Sequence, residues 1–232
     1  MLSRRPRRRS PSPENPEPRT AQGATKNIMT NNITAIIFDY GNVLIEWNPR
    51  LVYRRYFPND EDGMEKFLNE VNFMEWNAQQ DKGRSFKDGV ADHSRKYPQY
   101  AHLIQAYHDH WKDSIGEAYW GTVEIMKQLK QVGYALYGLS NWSAETFPYA
   151  RAKYNFFDLL DDMVISGAVG YVKPEPEIYQ IMLDKIGRPA QECLFIDDSL
   201  PNIQQANTMG FDTIHFTSSE QLKDELIQRG LL

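Results

Sequence analysis

Thr34-Ala35-Ile36-Ile37-Phe38-Asp39-Tyr40-Gly41-Asn42-Val43-Leu44 decides how this chain reads. A short apolar run that stops abruptly at an aspartate is the pattern of a strand buried on both faces of a parallel sheet. Similar runs recur at 134–139, 163–165, 193–196 and 213–216. Helical patterns separate them. Val123, Ile125, Met126, Leu129 and Val132 share one helical face, and Gly133 supplies the stop. Segments 175–186, 199–209 and 219–228 behave likewise. Strands alternating with helices predict an α/β fold with a doubly wound parallel sheet.

One interval interrupts the alternation. Between Glu46 and Tyr119 there is helical spacing but no strand pattern. Phe67, Val71, Phe73 and Met74 form one apolar group, and Leu103, Ile104, Tyr107 and Trp111 another. Roughly seventy residues far exceed an ordinary strand-to-helix loop, which predicts an inserted all-helical cap subdomain. The expected division is an α/β core at 33–46 and 119–232, with the cap at 47–118.

Composition bounds the rest. The chain has 232 residues, 41% of them apolar and 25% charged, as soluble globular proteins do. No apolar run approaches the length of a membrane span. A single cysteine, Cys193, cannot form an intrachain disulfide and reads as a small buried hydrophobe, so a reducing cytoplasm is expected. Residues 1–32 hold six Arg and one Lys against two Glu, a charge of +5, and the remaining 200 residues carry −10. An acidic body repels phosphate backbones, so no nucleic acid is expected as partner. The first 32 residues, with five of the thirteen prolines and few apolar side chains, read as a disordered basic extension. Met29 closely precedes the first predicted strand, which makes it a candidate start of translation. Oligomeric state has no signal in the sequence.

In open α/β sheets, ligands bind beyond the carboxyl ends of the strands. Asp39 follows the first predicted strand, and Ser140 and Asn141 follow the second. Lys173 lies past the third; Asp197 and Asp198 follow the fourth, with Asn202 four residues on. Singly, each has a plainer explanation as a helix cap, a turn residue or a solvated charge. Together they place three carboxylates, a hydroxyl and a lysine on one rim. Clustered carboxylates call for a hard cation such as Mg²⁺, and an aspartate can attack phosphorus. His108-Asp109-His110 looks like a metal pair, but side chains two apart on a helix do not face each other.

These four motifs, in this order, resemble the haloacid dehalogenase superfamily over about residues 33–218. The likeness is strongest to the group that includes α-glucose-1-phosphate phosphatase and the amino-terminal phosphatase domain of soluble epoxide hydrolases. The resemblance implies a Rossmann-like core and a Mg²⁺-dependent phosphatase of a small phosphorylated metabolite, a sugar or alditol phosphate. By similarity Asp39 is the nucleophile and a metal ligand, with the Gly41 carbonyl and Asp198 completing the metal site. Asp197 binds the metal directly or through water, and Asn202 supports it. Ser140 and Asn141 hold the phosphate, and Lys173 bridges phosphate and nucleophile. One departure stands out: most phosphatases of the family carry an acid–base aspartate where this chain has Gly41. General acid–base help is worth about 10²–10⁴ in rate, so a different group, slow turnover or a good leaving group must compensate. Metal-independent dehalogenation of a 2-haloacid, a phosphomutase and a catalytically weak phosphate-binding protein are the alternatives. The paired aspartates argue against the first, and Gly41 against the second. Within the cap, Trp76, Asn77, Asp81 and Arg84 flank the turn at Gly83 and are candidates to contact the leaving group, with Trp76 the most core-like.

Overall fold

The structure, a computed structural model, describes residues 32–232. Apart from Asn32, the basic extension read at 1–32 lies outside the described residues. In β1 (Ala35–Phe38) all four side chains are buried. Ile36 and Phe38 enter one apolar cluster and Ala35 and Ile37 another, as the period of two requires for a strand between two helical layers. The chain continues through β2 (Ile45–Trp47), α1 (Arg50–Tyr53), α2 (Glu61–Glu70), α3 (Phe73–Asp81), α4 (Phe86–Lys96) and α5 (Ala101–Asp109), and returns as β3 (Ile115–Ala118). Then follow α6 (Trp120–Gln131), β4 (Ala135–Ser140), α7 (Phe147–Lys153), β5 (Asp162–Ile165), α8 (Ser166–Val169) and α9 (Pro176–Ile186). The chain ends with β6 (Cys193–Asp197), α10 (Leu200–Thr208), β7 (Asp212–His215) and α11 (Ser219–Gln228).

Five strands form one parallel sheet in the order β5-β4-β1-β6-β7. This is the doubly wound α/β architecture that the sequence predicts. β1 lies at its centre, and the winding reverses beside it, which opens a crevice at the carboxyl ends of β1 and β6. Among the described residues no helix is long and apolar enough to cross a membrane.

The insert differs from its expected form at the base. β2 and β3 pair antiparallel, Ile45 opposite Ala118 and Trp47 opposite Ile115, with an irregularity between. β2 therefore crosses the expected boundary at 46/47 and β3 lies just inside the one at 118/119, so the insert is not helical throughout. The remainder is helical, and side chains cap its helices: Asp60 accepts the Gly63 N–H at 2.9 Å and Ser85 the Asp88 N–H at 3.0 Å. Rings hold these helices together, with Phe73 and Tyr107 centroids 4.8 Å apart and Tyr53 and Phe67 5.0 Å apart. Met74 departs from the apolar group read around it and is 60% exposed.

Gly167, in α8, locks two strand-end loops together. A Cβ there would stand 2.4 Å from the Ala144 nitrogen and 2.8 Å from the Trp142 oxygen. Both are backbone atoms, so relief requires the loops to separate. Gly167→Ala is expected to cost about 1–3 kcal/mol, in line with other overpacking substitutions, and to lower the melting temperature by several degrees. An unchanged thermal denaturation curve would show that the loops part freely.

Candidate active site

β1 runs into Asp39 without breaking its ladder, since the Asp39 N–H still donates to the Ile196 carbonyl at 2.9 Å. The chain then turns tightly: Leu44 and Ile45 both donate to the Tyr40 carbonyl at 2.9 Å. Asn42 takes the left-handed conformation there (φ 55°), which asparagine tolerates better than most residues. One Asp39 oxygen, Oδ1, accepts the Tyr40 N–H at 2.7 Å. β4 delivers Ser140, which is buried, and β6 delivers Asp197 and then Asp198.

Lys173 lies at the centre, only 4% exposed. Its Nζ stands 2.8 Å from Asp39 Oδ1, 2.6 Å from Asp197 Oδ2 and 2.8 Å from the Leu139 carbonyl. Three ammonium protons meet three acceptors. Burial alone would depress the Lys173 pKa, but the Asp197 and Asp39 carboxylates outweigh it and hold the group above its ordinary value. Asp197 is fully buried, and its oxygens also accept the Ser199 N–H at 2.8 Å and the Asn202 amide at 2.9 and 3.2 Å. Its lone pairs are thus engaged by protein donors.

The local charge does not balance. Asp39, Asp197 and Asp198 bring oxygens within 4.8 Å of one another, against a single ammonium. Burial pushes the Asp39 carboxyl upward against the pull of Lys173, and Asp197 adds to the rise. Burial and Asp197 likewise raise Asp198, although the Asn42 side chain hydrogen-bonds to it. Such a site can hold a hard divalent cation and a phosphoryl group.

Of the two residues after β4, Asn141 is committed differently from Ser140. Its Oδ1 accepts the Lys173 N–H at 2.7 Å and its Nδ2 donates to the Lys173 carbonyl at 2.9 Å. The side chain therefore ties the lysine loop to β4, which leaves only the Asn141 backbone to face a ligand.

Above this floor is a cavity of about 410 Å³. Asp39, Gly41, Ser140, Asn141, Lys173 and Asp198 line its core side. Asn77 and Asp81 of α3 reach it from the cap, as the sequence suggests; Trp76 and Arg84 do not. Trp76 is buried within the cap, where its Nε1 donates to the Gly89 carbonyl at 3.1 Å, and Arg84 pairs with Asp92. Burial pushes the Asp81 carboxyl up to about 8, against a hydrogen bond from the Ser143 backbone. Sequence reasoning passed over Trp47, Met74, Trp111 and Trp142, which also line the cavity. Only Trp142 had a signal, its place directly after Ser140-Asn141.

The family model for haloacid dehalogenase-like hydrolases matches residues 33–210. A sesquiterpene phosphatase of Aspergillus oryzae is 26% identical over 201 residues, which are 82% of this chain and 93% of that protein. The bifunctional epoxide hydrolase 2 of Mus musculus is 41% identical over 61 residues, 25% of this chain and 11% of that protein. A haloacid dehalogenase family enzyme of Bacteroides thetaiotaomicron, crystallised with magnesium and inorganic phosphate, shares the fold. Its TM-score is 0.61 at 23% identity, over 80% of this chain and 95% of that one. Motif order, sheet topology and a family match over most of the chain agree: this protein is an enzyme of the haloacid dehalogenase-like hydrolase family.

Proposed function

We propose that the protein is a Mg²⁺-dependent phosphatase that hydrolyses a small phosphate monoester through an aspartyl-phosphate on Asp39. The observation that carries this reading is Lys173, buried between Asp39 and Asp197 at the floor of a cavity edged by Ser140 and Asp198. Asp39 Oδ2 has no hydrogen-bond partner among the described residues and is the attacking atom. Lys173 holds the other oxygen and turns the carboxylate toward the substrate. Ser140 and the Asn141 backbone receive phosphoryl oxygens, and Asn202 steadies Asp197.

The residues present fit the cation. Asp39 and Asp198 offer hard oxygens, and no group among the described residues donates to the Gly41 carbonyl. Asp197, already engaged by Lys173, Ser199 and Asn202, serves as the anchor of the lysine. When bound, Mg²⁺ neutralises phosphoryl oxygen and the excess carboxylate charge.

Sugar and alditol phosphates are one substrate class within this reading. The walls favour a second, phosphates of apolar alcohols, since Trp47, Trp111, Trp142 and Met74 offer large apolar faces. The A. oryzae sesquiterpene phosphatase among the relatives supports it. Chelator-treated protein is expected to hydrolyse p-nitrophenyl phosphate only after Mg²⁺ is restored. A panel of sugar, alditol and prenyl monophosphates then ranks the classes. Release of halide from a 2-haloacid without metal, and no phosphate release, would replace this reading with dehalogenation.

A further inference from the structure

The carboxylates that line the cavity are Asp39, Asp198 and Asp81, and its one basic residue is Lys173; it is bordered by no histidine, glutamate, cysteine or tyrosine among the described residues. Asp39, Asp198 and Lys173 all belong to the floor. Asp81 comes from the opposite wall, at the end of α3. Its carboxylate forms no ion pair among the described residues, and the nearest basic residues in sequence are engaged elsewhere, Lys82 with Glu175 and Arg84 with Asp92. Asn77 donates to Asp81 Oδ2 at 2.8 Å, and Ser166 donates to the Asp81 backbone carbonyl. Side chain and backbone are both fixed.

We propose that Asp81 is the proton donor to the leaving oxygen, supplied by the cap in place of the side chain that Gly41 lacks. This rests on the phosphatase reading above. As Asp39 attacks phosphorus, the bond from phosphorus to the leaving oxygen breaks. The electron pair stays on that oxygen, which takes the proton of the Asp81 carboxyl and departs as a neutral alcohol. In the second step, water attacks phosphorus, and the Asp81 carboxylate accepts a proton from it. Phosphate leaves, and both aspartates return to their starting states.

The carboxyl must therefore be protonated in the resting enzyme. Burial, which raises it to about 8, keeps the proton on at neutral pH. Of the titratable groups around it, Tyr107 of α5 is buried and stays neutral, its pKa held high by burial. Asp39, Asp198 and Lys173 share the cavity, and Asn77, Ser143 and Ser166 are uncharged. Above about pH 8 the proton is lost, and turnover of esters with poor leaving groups falls.

The test compares p-nitrobenzyl phosphate, whose alkoxide needs a proton, with p-nitrophenyl phosphate, whose phenolate does not. Asp81→Asn is expected to lose about 10²–10⁴-fold in kcat/KM for the benzyl ester, and roughly tenfold less or better for the phenyl ester. The alkaline limb of the benzyl profile disappears with it. The phenyl kcat/KM, which is set before the second step, reports folding in the same sample, whereas kcat falls for both esters with the loss of the Asp81 base. Gly41→Asp supplies a second test: a Cβ there meets nothing within 4 Å, and the backbone is not left-handed. In the Asp81→Asn background it is expected to restore benzyl turnover, and in the wild type to add little. Equal loss of kcat/KM for both esters, or an unchanged benzyl profile, overturns the inference and leaves the phosphatase reading standing. No turnover of either ester by the wild-type protein with Mg²⁺ overturns both.

Discussion

Asp39→Asn is expected to lower phosphatase turnover by about 10⁴-fold or more, the scale on which loss of a nucleophile acts in other hydrolases. The amide is nearly isosteric but far less nucleophilic, and it removes a charge from the cation site. The fold should survive. Lys173 keeps Asp197 at 2.6 Å and the Leu139 carbonyl at 2.8 Å, and the Tyr40 N–H still finds an oxygen at position 39. Burial disfavours the Asp39 charge in the metal-free protein, so the melting temperature without Mg²⁺ should hold or rise slightly. Steady-state kinetics and thermal denaturation check both halves. Wild-type turnover at equal protein and Mg²⁺ would end the assignment of Asp39.

Lys173→Met should damage stability as well as activity. Methionine matches the stem in length but strands two buried carboxylates without their cation. Breaking a buried pair in this way typically costs about 3–5 kcal/mol. The pH dependence identifies the cause. Without Lys173, the Asp39 carboxyl loses the charge that pulls it down and is raised further, so the folded variant binds more protons than its unfolded chain, and stability falls as pH rises. The wild-type Asp39 carboxyl already spans the window from 3.8 to about 7. Because the wild type itself gives up this proton only at about pH 7, the deficit of the variant relative to wild type should be small near pH 4 and larger, and still growing, at pH 8, in metal-free buffer. A deficit that is the same at both would indicate lost packing instead.

Much of the core was legible because each of its signals is local. A run such as Ile36-Ile37-Phe38 has no stable place except a strand covered on both faces, and all three are fully buried. Strands of that kind, separated by amphipathic helices, leave little choice but a parallel sheet, and the residue after each strand then lies on the ligand rim. The places of Asp39, Ser140 and Asp198 at strand ends, and of Lys173 in the loop past β5, were legible by that geometry. The ribbon of β2 and β3 was not, because strands of three and four residues carrying Glu46 and Gly116 show no alternation. Only their pairing, some seventy residues apart in sequence, makes them strands.

The same limit applies within the site. A hydrophobic period on α3 marks which face leaves bulk water, but a cavity and a core look alike in that pattern. Trp76 therefore went to the cap interior and Met74, Asn77 and Asp81 to the cavity on the placement of α3 alone. Asn141 shows it most plainly. Its residue type and position suit a phosphate ligand, yet its amide is consumed by the backbone of Lys173. The sequence by itself determined which residues reach the rim of the sheet, because strand ends are set by local burial. Which of them stay free for a substrate, and what the cap contributes from above, was decided only in the folded chain, because hydrogen-bond partners and desolvation come from segments distant in sequence.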